Sequence, residues 1–410
     1  MKDYVFFLGS HPKLSALEAV AALKRANIAT STVTYTDRHL RITTADALPV
    51  NFLSRLGGTI RITEVLTVFS STPAPEQILD SLNPLPPKLT LGFSTLLTSQ
   101  NINLKKLGIE VKKAAKQRGT RVQFILPSGK QSQLNAAQVL FNALYKSPNA
   151  ELTLLEDKGQ ILLLRTLAVQ DIEKYELRDT QRPARDARVG MLPPKVAQMM
   201  INIALREVNA PQPAILDPFC GAGTILQEAW LMGFQSVGAD ASSNMVAASH
   251  ENLTWLHSKF NVADDKQPEL LEHDARQPYP EHWNETFDAV ITEPFLGKPI
   301  STPLPSAADL EQWQAPLHEL YTRALFILNA VVKPGGVILF LLPAAKVGTN
   351  SFTPLPEAIF DEIQKAGYSM VQLVPEVLEP FIAPTDRGTL MYSRPDALVA
   401  REFTLWKKNS

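Results

Sequence analysis

The chain has 410 residues, 45% hydrophobic and 20% charged, with a net charge of -1; this composition gives room for two or three globular domains and excludes an overall basic field as the means of holding nucleic acid. Its single cysteine excludes a disulfide framework and a cysteine-rich zinc site, so a reducing, cytoplasmic setting is expected and no metal. No apolar run approaches membrane-spanning length, and the strand-like start meets Gly9 too soon for a signal peptide, so no membrane contact is expected.

In chain order, Tyr4 to Leu8 reads as a strand, and Leu14, Leu17, Val20 and Ala21 fall at helical spacing. Short alternating stretches, Leu40-Arg41-Ile42 and Ile60-Arg61-Ile62, complete a small α+β unit over residues 1–70, and Ser71 to Pro75 reads as a linker. A second unit, residues 76–166, carries a strand at Leu89 to Phe93 and a helix at Leu104 to Gln117 closed by Gly119. Beyond them come a strand with Val122, Phe124 and Leu126, a helix around Leu134 to Leu144, and apolar strands at Leu152 to Leu155 and Ile161 to Leu164. The first helix and its exit hold Lys105, Lys106, Lys112, Lys113, Lys116, Arg118 and Arg121 against one acid, Glu110. Such one-signed charge suits phosphate contact, and a solvated helix face explains it equally well.

Residues 167–190 become rich in charge and proline, as an interdomain connector does: Gln170-Asp171, then Arg182-Pro183-Ala184-Arg185-Asp186-Ala187. Gly190-Met191-Leu192-Pro193-Pro194-Lys195 then leads into a helix over Val196 to Ala204, for which the double proline is a suitable start.

The apolar run Ala214-Ile215-Leu216 ends on Asp217, passes through Pro218-Phe219-Cys220-Gly221-Ala222-Gly223-Thr224 and opens into a helical pattern. Strand, ligand loop and helix is how an open parallel sheet presents a small molecule. The glycines remove side chains where a ligand touches backbone, and Asp217 is suited to a cationic or hydroxyl group. No Lys-Ser or Lys-Thr follows, which excludes a triphosphate loop, and the missing third glycine fits a dinucleotide loop badly. About twenty residues on, the strand Ser236 to Ala239 ends in Asp240, suited to both hydroxyls of a ribose. Asp274 lies where a third strand should end. A fourth strand, Phe287 to Ile291, runs into Thr292-Glu293-Pro294-Phe295-Leu296-Gly297. Further on, Leu317 to Val331 reads as a helix, Lys333 to Gly336 as a turn and Val337 to Leu342 as a buried strand. A helix at Pro356 to Ala366 and strands at Met370 to Val374, Thr389 to Tyr392 and Glu402 to Trp406 follow. Thr385-Asp386-Arg387-Gly388 reads either as a hairpin turn or as part of a substrate entrance.

The octet Asp217 to Thr224 resembles the first cofactor motif of S-adenosylmethionine-dependent methyltransferases that act on nucleic-acid bases. The connector, with its Arg-Pro-x-Arg-Asp-Ala and Gly-Met-Leu-Pro-Pro-Lys runs, resembles that of the THUMP-containing tRNA guanine-N2-methyltransferase family, and the layout of the whole chain is similar. The resemblance implies an α/β fold: a ferredoxin-like domain (1–70), a THUMP RNA-binding domain (76–166), a linker (167–190) and a Rossmann-like class I methyltransferase domain with a mostly parallel seven-stranded sheet (191–410). It implies S-adenosyl-L-methionine as cofactor, held by Asp217, Phe219, Cys220, Gly221, Ala222, Gly223, Thr224, Asp240 and Asp274. It also implies tRNA as partner, with Lys112, Lys113, Lys116 and Arg118 as RNA-binding residues, and transfer of one or two methyl groups to N2 of the guanosine at the tenth nucleotide. Some relatives act with a small activating subunit.

Enzymes that methylate exocyclic amines usually carry Asn or Asp, two prolines and an aromatic at the fourth strand's end. A side-chain oxygen and a backbone carbonyl accept the amine hydrogens, and the aromatic stacks on the extruded base. This chain departs from that pattern. Without a gap, Glu293 replaces the acid, Pro294 is the first proline, Phe295 stands at the second and Leu296 at the aromatic; an alternative register puts Glu293 at the first proline. In both, Glu293 is the loop's carboxylate and Phe295 its aromatic, so Glu293, Pro294 and Phe295 are the candidate catalytic residues. Two other functions stay open: an exocyclic amine of another RNA or DNA base as target, and a non-catalytic RNA-binding protein with the same fold.

Overall fold

The computed structural model describes residues 1–99, 101–185, 191–348, 351–394 and 396–410. Asp186, Ala187 and Gly190 of the connector motif lie outside the described residues. Chain contacts divide the protein into two units, the first comprising Met1–Pro12, Asn27–Ser54 and Thr59–Ile172, and the second Lys13–Ala26, Arg55–Gly58 and Glu173–Ser410.

The first unit is built on β1 (Lys2–Leu8), β2 (Thr30–Tyr35), β3 (His39–Thr44), β4 (Thr59–Phe69), β5 (Lys88–Leu96), β6 (Arg121–Ile125), β7 (Ala150–Asp157) and β8 (Gln160–Val169). These strands form one eight-stranded sheet in the order β2-β3-β1-β4-β8-β7-β5-β6. Residues 1–70 and 76–166, read from sequence as separate units, thus share a sheet through the antiparallel β4–β8 pair, from Arg61 opposite Val169 to Phe69 opposite Ile161. A buried polar network spans that join: Arg61 donates to Glu151 at 2.6 Å and to the Leu134 carbonyl, while Ser94 and Thr166 donate to the same carboxylate. Helix α1 (Pro12–Arg25) follows β1 in the chain but groups with the second unit. Between β4 and β7 come α2 (Pro75–Asp80), α3 (Leu104–Gln117) and α4 (Ala136–Phe141). Asn103 caps α3 by accepting from the Lys106 N–H at 3.0 Å, and the helix buries Leu107, Val111, Ala114 and Ala115 among Leu89, Leu91, Phe93 and Val122.

The second unit begins with α1 and the end of the connector. The connector is not open chain: α5 (Ile172–Thr180) buries Tyr175 and Arg178, and Arg178 Nε reaches Glu228 Oε1 at 2.6 Å, both side chains being nearly inaccessible. Next come α6 (Pro194–Leu205), β9 (Ala214–Asp217), α7 (Thr224–Leu231), β10 (Gln235–Asp240), α8 (Ser243–Phe260), β11 (Glu269–Glu272) and β12 (Phe287–Thr292). The remaining elements are α9 (Ala307–Val331), β13 (Val332–Val347), β14 (Ser351–Pro354), α10 (Ala358–Lys365), β15 (Tyr368–Met370), β16 (Leu390–Tyr392) and β17 (Val399–Lys408). The sheet runs β11-β10-β9-β12-β13-β17-β15, with β14 added on β13 and β16 on β17. Strands β11 to β13 along that order are parallel; β17 is antiparallel to β13, and β15 to β17. Counted from β9, the seven main strands follow 3-2-1-4-5-7-6, so the order reverses between β9 and β12 and the crevice at their carboxyl ends is the ligand position of such a sheet.

Two local expectations differ from the observed elements. Lys333 to Gly336 is no free turn: β13 passes through it, with Phe287 opposite Val332 and Ala289 opposite Val337, so the extra residues bulge from the ladder while Gly335 adopts φ 72°. Lys333 Nζ holds the bulge against both oxygens of Asp288, at 3.0 and 2.9 Å. The segment Met370 to Val374 forms a strand only to Met370.

Candidate active site

Asp217 ends β9, and the residue is 2% exposed. It accepts from Thr292 Oγ1 at 2.6 Å and from the Phe219 N–H at 3.2 Å, which ties the end of β9 to the end of β12 across the strand-order reversal. Burial, with the neighbouring Asp240 and Glu293 charges adding to it, pushes its pKa up to about 7 despite those two donors. The chain then turns through Cys220, whose N–H donates to the Ala239 carbonyl at 2.9 Å. Cys220 is buried and its thiol is pushed up by desolvation, which makes it a packing residue and no nucleophile.

Gly221 and Gly223 both have positive φ, 50° and 79°. A Cβ on Gly221 would meet nothing within 4 Å, so this turn presents bare backbone to open space, whereas a Cβ on Gly223 would lie 2.3 Å from Ser249 Oγ. Gly223 is the N-cap of α7, and Thr224 begins the helix. The loop is fixed from behind: Asn252 of α8 donates to the Ala222 carbonyl at 2.9 Å and exchanges hydrogen bonds with the backbone of Ala184, while Arg182 donates to Thr224 Oγ1 at 2.7 Å. Phe219 is half-buried and meets Phe340 edge-on, with ring centroids 6.4 Å apart.

Asp240, at the end of β10, accepts from the Gly221 N–H at 3.0 Å through one oxygen and from the Ser242 N–H at 2.9 Å through the other. The end of β11 is joined to it, the His273 N–H donating to the Asp240 carbonyl at 2.9 Å. Asp274 follows, but both its oxygens are engaged by Arg276, the closest contact being 2.6 Å, and this pairing holds the carboxyl below its usual range. Tyr279, its ring tilted against His273 with centroids 4.3 Å apart, has a buried hydroxyl without a hydrogen-bond partner among the described residues.

At the end of β12, Glu293 is paired with Arg401 of β17, Nε to Oε1 at 2.6 Å. Pro294 is buried, and Phe295 is 54% exposed. The Phe295 carbonyl accepts from Tyr321 of α9 at 2.5 Å, and Gly297 turns the chain at φ 98°, where a Cβ would strike Trp313. The loop is therefore rigidly held with an aromatic ring presented outward. Thr385 to Gly388 is a tight turn, the Gly388 N–H donating to the Thr385 carbonyl, and among the described residues no strand directly precedes it to make a hairpin with β16; Arg387 extends over the Phe360 ring and to the Leu355 carbonyl.

Asp217 through Thr224, Asp240 and Glu293 through Phe295 thus converge, with Asp274 at the edge. Lys112, Lys113, Lys116 and Arg118 belong to the first unit, where the three lysines are exposed on α3 and Arg118 pairs with Asp80 at 2.7 Å. Sequence reading did not single out Arg182, Asn252, Tyr321 or Arg401. Arg182 had a signal in the connector motif; the others sit in helices or a strand without one. Among the described residues no cluster of His, Cys, Asp and Glu could hold a metal ion, and no helix is long and apolar enough to cross a membrane.

Residues 182–349 match a family model described as the RMKL-like methyltransferase domain, UPF0020. A protein of Methanothermobacter thermautotrophicus named tRNA (guanine(10)-N2)-dimethyltransferase is 37% identical over 185 residues, covering 45% of this chain and 48% of that protein. A protein of the same name from Pyrococcus abyssi is 33% identical over 172 residues, covering 42% and 43%. The match thus spans about half the length of these relatives. The solved structure of TrmN from Thermus thermophilus aligns over the whole of both chains with 14% identity and a TM-score of 0.48. The matched segment holds the glycine loop, the acids at the ends of β9, β10 and β12, and the Thr292 to Gly297 turn, so over residues 182–349 this chain is similar to the RMKL-like methyltransferase domain, UPF0020.

Proposed function

We propose that the protein is a cytoplasmic tRNA methyltransferase that uses S-adenosylmethionine to add one or two methyl groups to N2 of a guanosine, the one at the tenth nucleotide. The observation that carries the reading is the meeting of Asp217, Asp240 and Glu293 around a loop of bare backbone. Like charges brought together repel a pyrophosphate and attract a cation. S-Adenosylmethionine carries both a sulfonium and an ammonium group and, when bound, supplies an electrophilic methyl. Each oxygen of Asp240 accepts only one backbone N–H among the described residues, which leaves lone pairs for the two ribose hydroxyls. The unpartnered Tyr279 hydroxyl at the same edge is a further polar group such a ligand satisfies.

Glu293 accepts a hydrogen of the guanine amine and then takes the proton that the nitrogen loses as its new carbon bond forms; the exposed Phe295 ring stacks on the extruded base. In the first unit, residues 1–70 serve as the ferredoxin-like part and residues 76–166 as the THUMP part, with Lys112, Lys113, Lys116 and Arg118 meeting phosphates. The names of the two archaeal relatives favour tRNA and guanine N2 over other bases. Nucleoside mass spectrometry of tRNA from cells with and without the protein tests the reading. N2-methylated guanosine disappears with the gene if the reading holds; an unchanged nucleoside profile rejects it. Activity of the chain in extract but not after purification would reveal a small activating subunit.

A further inference from the structure

We propose that Arg401 is a positioning residue for methyl transfer: it holds the Glu293 carboxylate in place, and the pairing is what makes a glutamate serve where a shorter acid is usual. This rests on the reading of Glu293 as the group that accepts the target amine. Glu293 directly follows β12, and Arg401 is near the start of β17, with β13 between them in the sheet. Thr292 lies opposite Phe340, and Pro343 opposite Arg401, so the two residues flank the same end of β13. Two strand spacings, roughly 10 Å, separate their backbones. Only two long side chains meet across that gap, and these do so at 2.6 Å with little exposure of either, 8% for Arg401 and 14% for Glu293.

An aspartate at 293 would withdraw the carboxylate by one carbon-carbon bond, roughly 1.5 Å, and break the contact. The guanidinium also has an aromatic neighbour, its carbon lying 5.9 Å from the ring centroid of Tyr392, the residue opposite Arg401 on β16. The Nε bond occupies Oε1 of Glu293, and Oε2 has no hydrogen bond among the described residues. That second oxygen is the one left to accept from the amine while the first is anchored. Thr292 adds a second restraint one residue earlier, through its bond to Asp217. Arg401 thus anchors the carboxylate while Thr292 anchors the end of the strand that carries it, as suits a group that must meet a small amine in one orientation.

The test is a double-mutant cycle on the single-turnover rate of methyl transfer to tRNA, with S-adenosylmethionine and tRNA both saturating. Arg401→Met should lower the rate roughly 10- to 100-fold, the scale on which misplacing a reacting group acts, while cofactor and tRNA dissociation constants stay within about 2-fold of the parent. Arg401→Lys should recover part of the rate. In a Glu293→Ala background, Arg401→Met should cost nothing further, because nothing remains to be positioned. Should Arg401→Met fail to fold, Arg401→Lys carries the same comparison, and the double variant has no unpaired charge left at the site. A parent-like rate in Arg401→Met, or an equal loss in both backgrounds, would overturn the positioning role. A parent protein that transfers no methyl to tRNA would instead strike the reading on which it rests.

Discussion

A buried carboxyl with no cationic partner makes stability sensitive to pH, and among the described residues of the second unit Asp217, in the site, and Glu18, outside it, are such groups. Asp217 and Glu18 are both fully buried and both raised to about 7 by desolvation, Glu18 in spite of donors at 2.7 Å from Gly57 and Gly58 and at 2.9 Å from Asn202. A folded-state value above the unfolded one, about 4 for a free carboxyl, means the folded form binds protons more tightly. Their stabilising contribution is complete below about pH 4 and is lost as pH rises through about 7. The unliganded protein should therefore show a thermal midpoint that falls from about pH 4 to about pH 7 and levels off above it, and Asp217→Asn and Glu18→Gln should each flatten that fall; a slope unchanged in both variants would remove these carboxyls as its cause. Gly223 sets the second prediction at this scale. Valine there meets Ser249 and a left-handed φ together. Rotation of the serine relieves the first and not the second, so calorimetry should find S-adenosylmethionine binding abolished in Gly223→Val while circular dichroism reports a folded chain. Unchanged affinity would refute the assignment of this loop to the cofactor. Asp217, Gly221, Gly223 and Asp240 were legible because each ends a recognisable strand or fills a tight turn. Arg401 was not, because its partner is 108 positions away in sequence and only the β12-β13-β17 order brings them together.

Among elements, α3 separates two roles cleanly. It buries Leu107, Val111, Ala114 and Ala115, while Lys112, Lys113 and Lys116 are exposed and have no acid partner among the described residues, whereas Arg118 is already paired with Asp80 and Lys106 faces Glu110 at 3.9 Å. Replacing the three lysines together by glutamate should raise the dissociation constant for tRNA and flatten its salt dependence, since fewer counterions are released, with cofactor affinity unchanged. A salt slope equal to the parent's would mark the face as merely solvated. The helix itself was readable from periodicity and from Gly119 beyond its end, because both signals are local. The connector was not: its charge and proline suggested an interdomain link, yet α5 hides Tyr175 and pairs Arg178 with Glu228 of α7. A charge that finds a buried partner fifty residues on looks the same in sequence as one that faces water. The Lys333 to Gly336 bulge misleads for a related reason, since proline and two glycines signal a turn whether or not a strand resumes on the same line.

For the molecule as a whole, fold class followed from the alternation of apolar strands and helices after residue 214, and the reversal of strand order between β9 and β12 is what gathers acids from three strand ends. The sharing of one sheet by residues 1–70 and 76–166 could not be read, because the pairing of β4 with β8 joins strands some hundred residues apart. A linker of suitable composition between α+β patterns looks the same whether the patterns pack separately or pair edge to edge. The methyltransferase reading needs the second unit alone; the tRNA reading needs both units in one chain. Its most direct test is incubation of the purified protein with S-adenosylmethionine and an unmodified tRNA transcript, followed by digestion and nucleoside mass spectrometry, beside a transcript in which the tenth guanosine is replaced by adenosine. The account predicts N2-methylguanosine or its dimethylated form from the first transcript and neither from the second. Methylation of another base, or equal methylation of both transcripts, would contradict it.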